Sequence, residues 1–179
     1  MARYLIFFAF GLLTCINGLC QHRLVNARST VNFRIRNLGI SVNGSFSGLL
    51  GKISFDENNP GAASFEATVD ASSVNTGIGA RDRHLKKPDY LNIEKYPTIS
   101  FVSEKVTRES DGGYMVTGKL FIKDKVKQIS FPFTAEAEQE GTRFTGSFSI
   151  NRREFNVGGS SISLSDNLTI FLSVFADKY

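Results

Sequence analysis

The stretch Ile129-Ser130-Phe131-Pro132-Phe133-Thr134-Ala135-Glu136-Ala137-Glu138-Gln139-Glu140-Gly141-Thr142-Arg143-Phe144-Thr145-Gly146-Ser147-Phe148-Ser149-Ile150 decides the fold class. Apolar or small residues take alternate positions on both sides of Glu140-Gly141. Ile129, Phe131, Phe133, Ala135 and Ala137 come before it, and Phe144, Gly146, Phe148 and Ile150 after. Successive side chains of a strand point to opposite faces, so this period of two on either side of a turn reads as an antiparallel hairpin with one apolar face. Pro132 has no N–H to donate, which places it at an edge, at a bulge, or where an N–H would face solvent.

The same period extends outward in both directions. Val31, Phe33 and Ile35 alternate with polar residues. Phe46 and Leu50 anchor a Gly- and Ser-rich run, and Ile53, Phe55, Phe65, Ala67 and Val69 flank a turn at Asp56–Gly61. Ile99 and Phe101 precede a turn at Asp111-Gly112-Gly113. Tyr114, Val116, Gly118, Leu120 and Ile122 follow it, and Leu168, Ile170, Leu172, Val174 and Ala176 close the chain. This spacing predicts roughly eight strands joined mostly by hairpin-length turns, hence an all-β sandwich or barrel. No linker or repeat divides them, and 179 residues suit one domain. The first and last strands are both full length, and pairing them would remove two exposed edges, which favours a barrel. An immunoglobulin-like sandwich fits less well, because the chain has no Trp for its core and no cysteine pair in the strands.

The inward face of such a barrel would consist of Val31, Phe33, Ile35, Phe46, Phe65, Val69, Phe101, Val116, Leu120, Phe131, Phe133, Phe148, Ile170 and Leu172. Small residues (Gly44, Ala67, Gly118, Ala135, Gly146) share that face. Large rings set against small residues can leave a tube that holds one ligand, or can fit the taper of a filled core. The pattern leaves both open.

Arg3, the uncharged run Tyr4–Leu13 and the small-x-small site Gly18-Leu19-Cys20 read as a secretory signal peptide over residues 1–20. Residues 21–179 then form the mature domain, placed in the periplasm or outside the cell, with lipoprotein anchoring not expected. Cys15 and Cys20 both fall in the signal, so the mature domain has no disulfide and no thiolate. The formal charge of +4 is not arranged as a basic stripe among aromatics, so nucleic acid is not an expected partner. Membrane contact is expected to be transient at most.

One segment breaks the pattern. Between Thr76 and Pro97 the alternation stops and charge concentrates. A short helix is expected within residues 77–92, ended by Pro88. It reads as a cap over one end of the barrel, or as a gate in which Arg81 and His84 meet a polar head group, with Arg152 as a further anion contact. His84 has no partners at metal-ligand spacing, and no Gly-x-Ser-x-Gly elbow exists. No catalytic residue, metal or cofactor is expected.

Several short runs then carry a resemblance. They are Ser29-Thr30-Val31-Asn32-Phe33, Gly44-Ser45-Phe46-Ser47-Gly48, Ile53-Ser54-Phe55-Asp56 and Val69-Asp70-Ala71-Ser72-Ser73-Val74-Asn75-Thr76. Next come Arg81-Asp82-Arg83-His84-Leu85, Pro88-Asp89-Tyr90-Leu91 and Tyr96-Pro97-Thr98-Ile99-Ser100-Phe101. Gly118-Lys119-Leu120 and Asn151-Arg152-Arg153-Glu154-Phe155 complete the set. In this order, from about Ser29 to Ala176, the chain resembles the YceI-like family of bacterial secreted polyisoprenoid-binding proteins. The resemblance implies a lipocalin-like, eight-stranded antiparallel barrel with a helix at one side. It also implies a tunnel for a polyisoprenoid, quinone or fatty-amide type of ligand, and often a homodimer. Asp124 stands where the family often has Gly. The competing expectations are a partner-binding stress module with a filled barrel, and an enzyme acting on a lipid.

Overall fold

A computed structural model describes residues 21–177. The predicted signal peptide lies outside the described residues. The hairpin of residues 129–150 belongs to β8 (Lys125–Glu138) and β9 (Gly141–Asn151), paired from Phe133↔Gly146 to Glu138↔Gly141. That ladder begins one residue after Pro132. The proline therefore sits where β9 requires no N–H from it.

Before these come β1 (Gln21–Arg23), β2 (Thr30–Asn37), β3 (Ile40–Phe46), β4 (Leu50–Ser54), β5 (Ser64–Asp70), β6 (Thr98–Arg108) and β7 (Tyr114–Ile122); β10 (Leu164–Asp177) follows. They form one antiparallel sheet in the order β1-β4-β5-β6-β7-β8-β9-β10-β2-β3. The first long strand pairs with the last, from Leu164↔Asn37 to Ser173↔Thr30. The fold is the lipocalin-like antiparallel barrel that the sequence predicts.

Ten strands replace the expected eight for a local reason. β1 is a three-residue stub, and β3 and β4 are two halves of one broken stave. Above the break β3 pairs with β2, and below it β4 pairs with β5. Gly48 lies in the break at φ +70°, a conformation that a side chain resists. The backbone groups freed there find other partners. The N–H of Ser47 donates to Ser73 Oγ (2.8 Å) and its carbonyl accepts from the N–H of Asp70 (3.1 Å). The N–H of Leu49 donates to Asn26 Oδ1 (2.9 Å).

Two short segments then close the sheet on itself. Above the break, Ser45 and Asn75 exchange both backbone hydrogen bonds. Below it, β1 covers the free edge of β4, and Leu24 bridges to Ala176 of β10. Buried edge groups left unpaired would each cost on the order of 1–3 kcal/mol, so these bridges hold the cylinder shut.

Side chains fill only one end. Phe55, Phe65, Tyr114, Phe133 and Phe144 meet edge-on or tilted with centroids 5.1–6.2 Å apart, except for the Tyr114–Phe133 stack at 5.3 Å. Outside this end, Arg28 lies over the Phe175 ring (3.4 Å) and pairs with Glu138 (2.6 Å), which Arg143 also engages.

Gly48→Val places a branched side chain at positive φ with the Asp70 Cβ only 3.0 Å from its own. We expect it to lower stability by about 1–3 kcal/mol in urea unfolding, with the barrel's β-type circular dichroism retained.

Candidate functional site

The other end of the barrel is hollow. A cavity of about 450 Å³ occupies its upper half. Its walls come from inward positions of β2, β3, β5, β6, β7, β9 and β10. Leu49, Phe131 and Val174 line it from below and belong to the same packed cluster as the rings underneath. They form its floor. Phe131 stacks on Phe148 at 4.6 Å and lies 5.6 Å from Phe101, so one side is a continuous aromatic surface.

Of the predicted tunnel residues, Val31, Phe33, Ile35, Phe46, Val69, Phe101, Leu120, Phe131, Phe148, Ile170 and Leu172 line this cavity. Phe65, Val116 and Phe133 do not. They point inward as expected, but they lie in the packed cluster beneath the floor. Period two gives the face of a residue and not its height along the barrel axis.

The space for the cavity comes partly from Gly44. It pairs across the strands with Phe33, and a Cβ there would lie 2.3 Å from the Phe33 ring. The ring lies across the glycine instead of standing up into the barrel.

The segment over the mouth contains α1 (Gly79–Leu85), inside the predicted span. Phe33, Val74 and Leu91 form a buried cluster there, with Leu85 and Ile93 packed against it. The backbone N–H (2.8 Å) and the hydroxyl (2.5 Å) of Thr76 donate to Asp82 Oδ1. Arg81 donates to Thr76, from Nε to Oγ1 (2.7 Å) and from Nη2 to the carbonyl (2.9 Å). Further along, the N–H of Gly158 donates to the Asp89 carbonyl (2.8 Å), and Lys123 Nζ reaches the carbonyls of Pro88 (3.3 Å) and Asn156 (2.7 Å). The cap is thus braced internally around Thr76 and tied near Pro88 to the β7–β8 turn and the 156–158 loop. Lys123, at φ +56° in the turn that Asp124 shares, supplies one of these ties.

Arg81 and His84 both line the mouth, and His84 meets the Tyr90 ring edge-on at 4.8 Å. Arg152 also borders the cavity but is differently engaged. Its side chain is 4% exposed. Its guanidinium donates to the carbonyls of Val157, Gly159, Leu164 and Ser165 and to Asp166 Oδ1. These contacts use the full donor capacity of an arginine. Its expected place at a ligand head group is therefore corrected. Arg152 staples residues 157–166 to the end of β9.

Lining residues that the alternation did not single out include Leu85, Tyr90, Leu91, Phe155, Val157 and Leu164. The first five lie outside strands, where no periodicity announces an inward face. Among the described residues no group of three or more His, Cys, Asp or Glu could hold a metal ion.

A family model, the YceI-like domain, matches residues 22–176. The chain belongs to the YceI-like family. It is 32% identical over 155 residues to the protein YceI of Salmonella arizonae, covering 80% of this chain and 78% of that protein. Among solved YceI-like barrels, the Campylobacter jejuni YceI protein superposes with a TM-score of 0.70 at 27% identity, over 77% of this chain and 85% of that one. BcnA of Burkholderia cenocepacia superposes with a TM-score of 0.82 at 25% identity, over 86% of this chain and 99% of that one. A polyisoprenoid-binding domain from Saccharophagus degradans gives 0.68 at 15% identity, over 90% and 99%, and shows the shared fold.

The Thr76 hydroxyl hydrogen bond holds the Asp82 carboxyl below its ordinary range; desolvation works against it, and the Thr76 N–H, Arg81 and Lys86 add to it. The folded value is therefore below the unfolded one. The contribution is present at neutral pH and is lost as pH falls through the folded value. Acidification should lower the protection of the amides in residues 76–85 relative to their intrinsic exchange rates, and Asp82→Asn should remove that pH dependence of protection, as read by hydrogen exchange.

Proposed function

We propose that this YceI-like protein is a non-enzymatic carrier or sequestering protein for a long apolar amphiphile of the polyisoprenoid, quinone or fatty-amide type, working outside the cytoplasm. The observation that carries this reading is the division of the barrel. A packed aromatic floor lies beneath a hollow upper half lined mostly by apolar side chains, with Arg81, His84 and Arg152 as the charged or titratable groups that border it.

Magnitudes favour the chain over the head group. At about 30 Å³ per carbon-sized group, the liquid share of a water molecule, the cavity takes on the order of fifteen carbons. Each buried CH₂ contributes about 0.8 kcal/mol, so the chain offers on the order of 10 kcal/mol before ordering costs. One hydrogen bond at the mouth contributes a net 0.5–1.5 kcal/mol, roughly a tenth of that. Arg81 and His84 thus orient the head group, while burial sets the affinity. A longer chain leaves its remainder outside, towards the mouth. The fold shared with the Saccharophagus degradans domain directs the choice of prenyl probes.

The test is a series of prenyl alcohols of increasing length. Affinity should climb with each isoprene unit and level off near fifteen carbons, the depth that the floor allows. Phe131→Ala should lower stability by about 3–5 kcal/mol and move the plateau to longer chains. Val174→Phe should move it to shorter ones. Binding that is flat across the series, or a plateau that neither variant moves, would remove the cavity as the site.

A further inference from the structure

The rim of the cavity carries side chains that a water-facing loop does not need. Leu38 and Ile40, in and after the β2–β3 turn, are 76% and 71% exposed, and Ile162 is wholly exposed. The N–H of Leu38 donates to the Ser163 carbonyl (2.8 Å), so the two loops bearing these residues are joined. Each apolar tip is close in sequence to a residue that lines the cavity. Asn37 precedes Leu38, Val42 follows two after Ile40, and Ser161 and Ser163 flank Ile162. One bank of the mouth is therefore apolar and faces outward.

A second stretch that borders the same cavity is basic. The helix α1 turns Arg81, His84 and Leu85 to the cavity and exposes Arg83, with Lys86 and the exposed Lys87 just beyond it. Ile78, 53% exposed, stands at the helix start. The acids between Thr76 and Pro97 are Asp82, bonded to Thr76, Asp89, and Glu94, which adjoins the exposed Lys95. Exposed Arg36 lies two residues below Leu38. No ion pair among the described residues engages Arg36, Arg83, Lys86 or Lys87.

We infer that this rim is a docking surface for an anionic lipid bilayer, and that the protein loads or unloads its cargo while seated on it. The inference rests on the lipid-carrier reading above. Apolar tips beside basic side chains match the two layers of a bilayer interface: the acyl boundary for Leu38, Ile40 and Ile162, and the phosphates for Arg36, Arg83, Lys86 and Lys87. Their position does the rest. Residues of both stretches line the cavity, so a protein seated by them would face the cavity to the membrane, and a chain could pass from leaflet to barrel without crossing water. A protein partner on the same rim would seal the opening.

The experiment is flotation of the mature protein with vesicles of phosphatidylcholine and phosphatidylglycerol, and with phosphatidylcholine alone. A variant carrying Leu38→Ser, Ile40→Ser and Ile162→Ser is run beside it, as is one carrying Lys86→Glu and Lys87→Glu. The wild type should float with the anionic vesicles, and less so at high salt. Both variants should lose roughly tenfold or more of that binding, and should extract a prenyl probe from the vesicles more slowly. Both should still take up a short, water-soluble prenyl alcohol as the wild type does. A wild type that stays with the soluble fraction overturns the proposal. So do variants that float unchanged, or a serine variant whose only change is a different oligomeric state in sedimentation. Failure of the wild type to take up the soluble alcohol would instead count against the carrier reading itself.

Discussion

The structure depends on how a curled sheet satisfies its own edges. The domain has no cysteine to staple it, so every free edge must find a backbone partner. The break at Gly48 solves this by letting a single stave serve two neighbours, β2 above and β5 below. Ser73, Asp70 and Asn26 take up the backbone groups that the break releases. Two short bridges, Ser45 with Asn75 and Leu24 with Ala176, then complete the cylinder. A filled barrel would not need such careful closure, because its core would hold the walls together. A half-empty one has less packing to rely on.

The division into a solid and a hollow half follows from where the rings lie. Below the floor, aromatic side chains meet in the middle and exclude each other's space. Above it, Phe33 lies over Gly44 and Phe148 stacks against the floor ring Phe131, so the rings line the wall and leave the axis open. The hydrogen-bond donors near the mouth are largely committed to the protein. Arg152 secures the 157–166 segment, and Thr76 joins Arg81 to Asp82. The cavity therefore offers a ligand mostly apolar surface, with modest polar selection at its entrance.

Much of this was legible in the chain. Period two located the long strands and assigned their faces, and a cap was visible where alternation failed between Thr76 and Pro97. Depth was not legible. Phe131 and Phe133 read identically, yet one is floor and the other is packed beneath it, because height depends on strand tilt and register set by the whole sheet. Arg152 looked like an anion contact because a charged pair at a strand end resembles a site. Its donors turn inward to carbonyls five or more residues ahead, and no local pattern records that. The floor and the mouth could be drawn only once the staves were in register.

A lipid in the upper half of the barrel is what the proposed carrier role requires. Native mass spectrometry of the protein, isolated from the cells that make it without detergent, tests this most directly. A carrier should show a mass excess equal to one apolar amphiphile, released into organic solvent and absent from the Val174→Phe variant or replaced there by a shorter chain. A spectrum showing only the bare chain, from a protein that also takes up no prenyl alcohol when offered one, would contradict it.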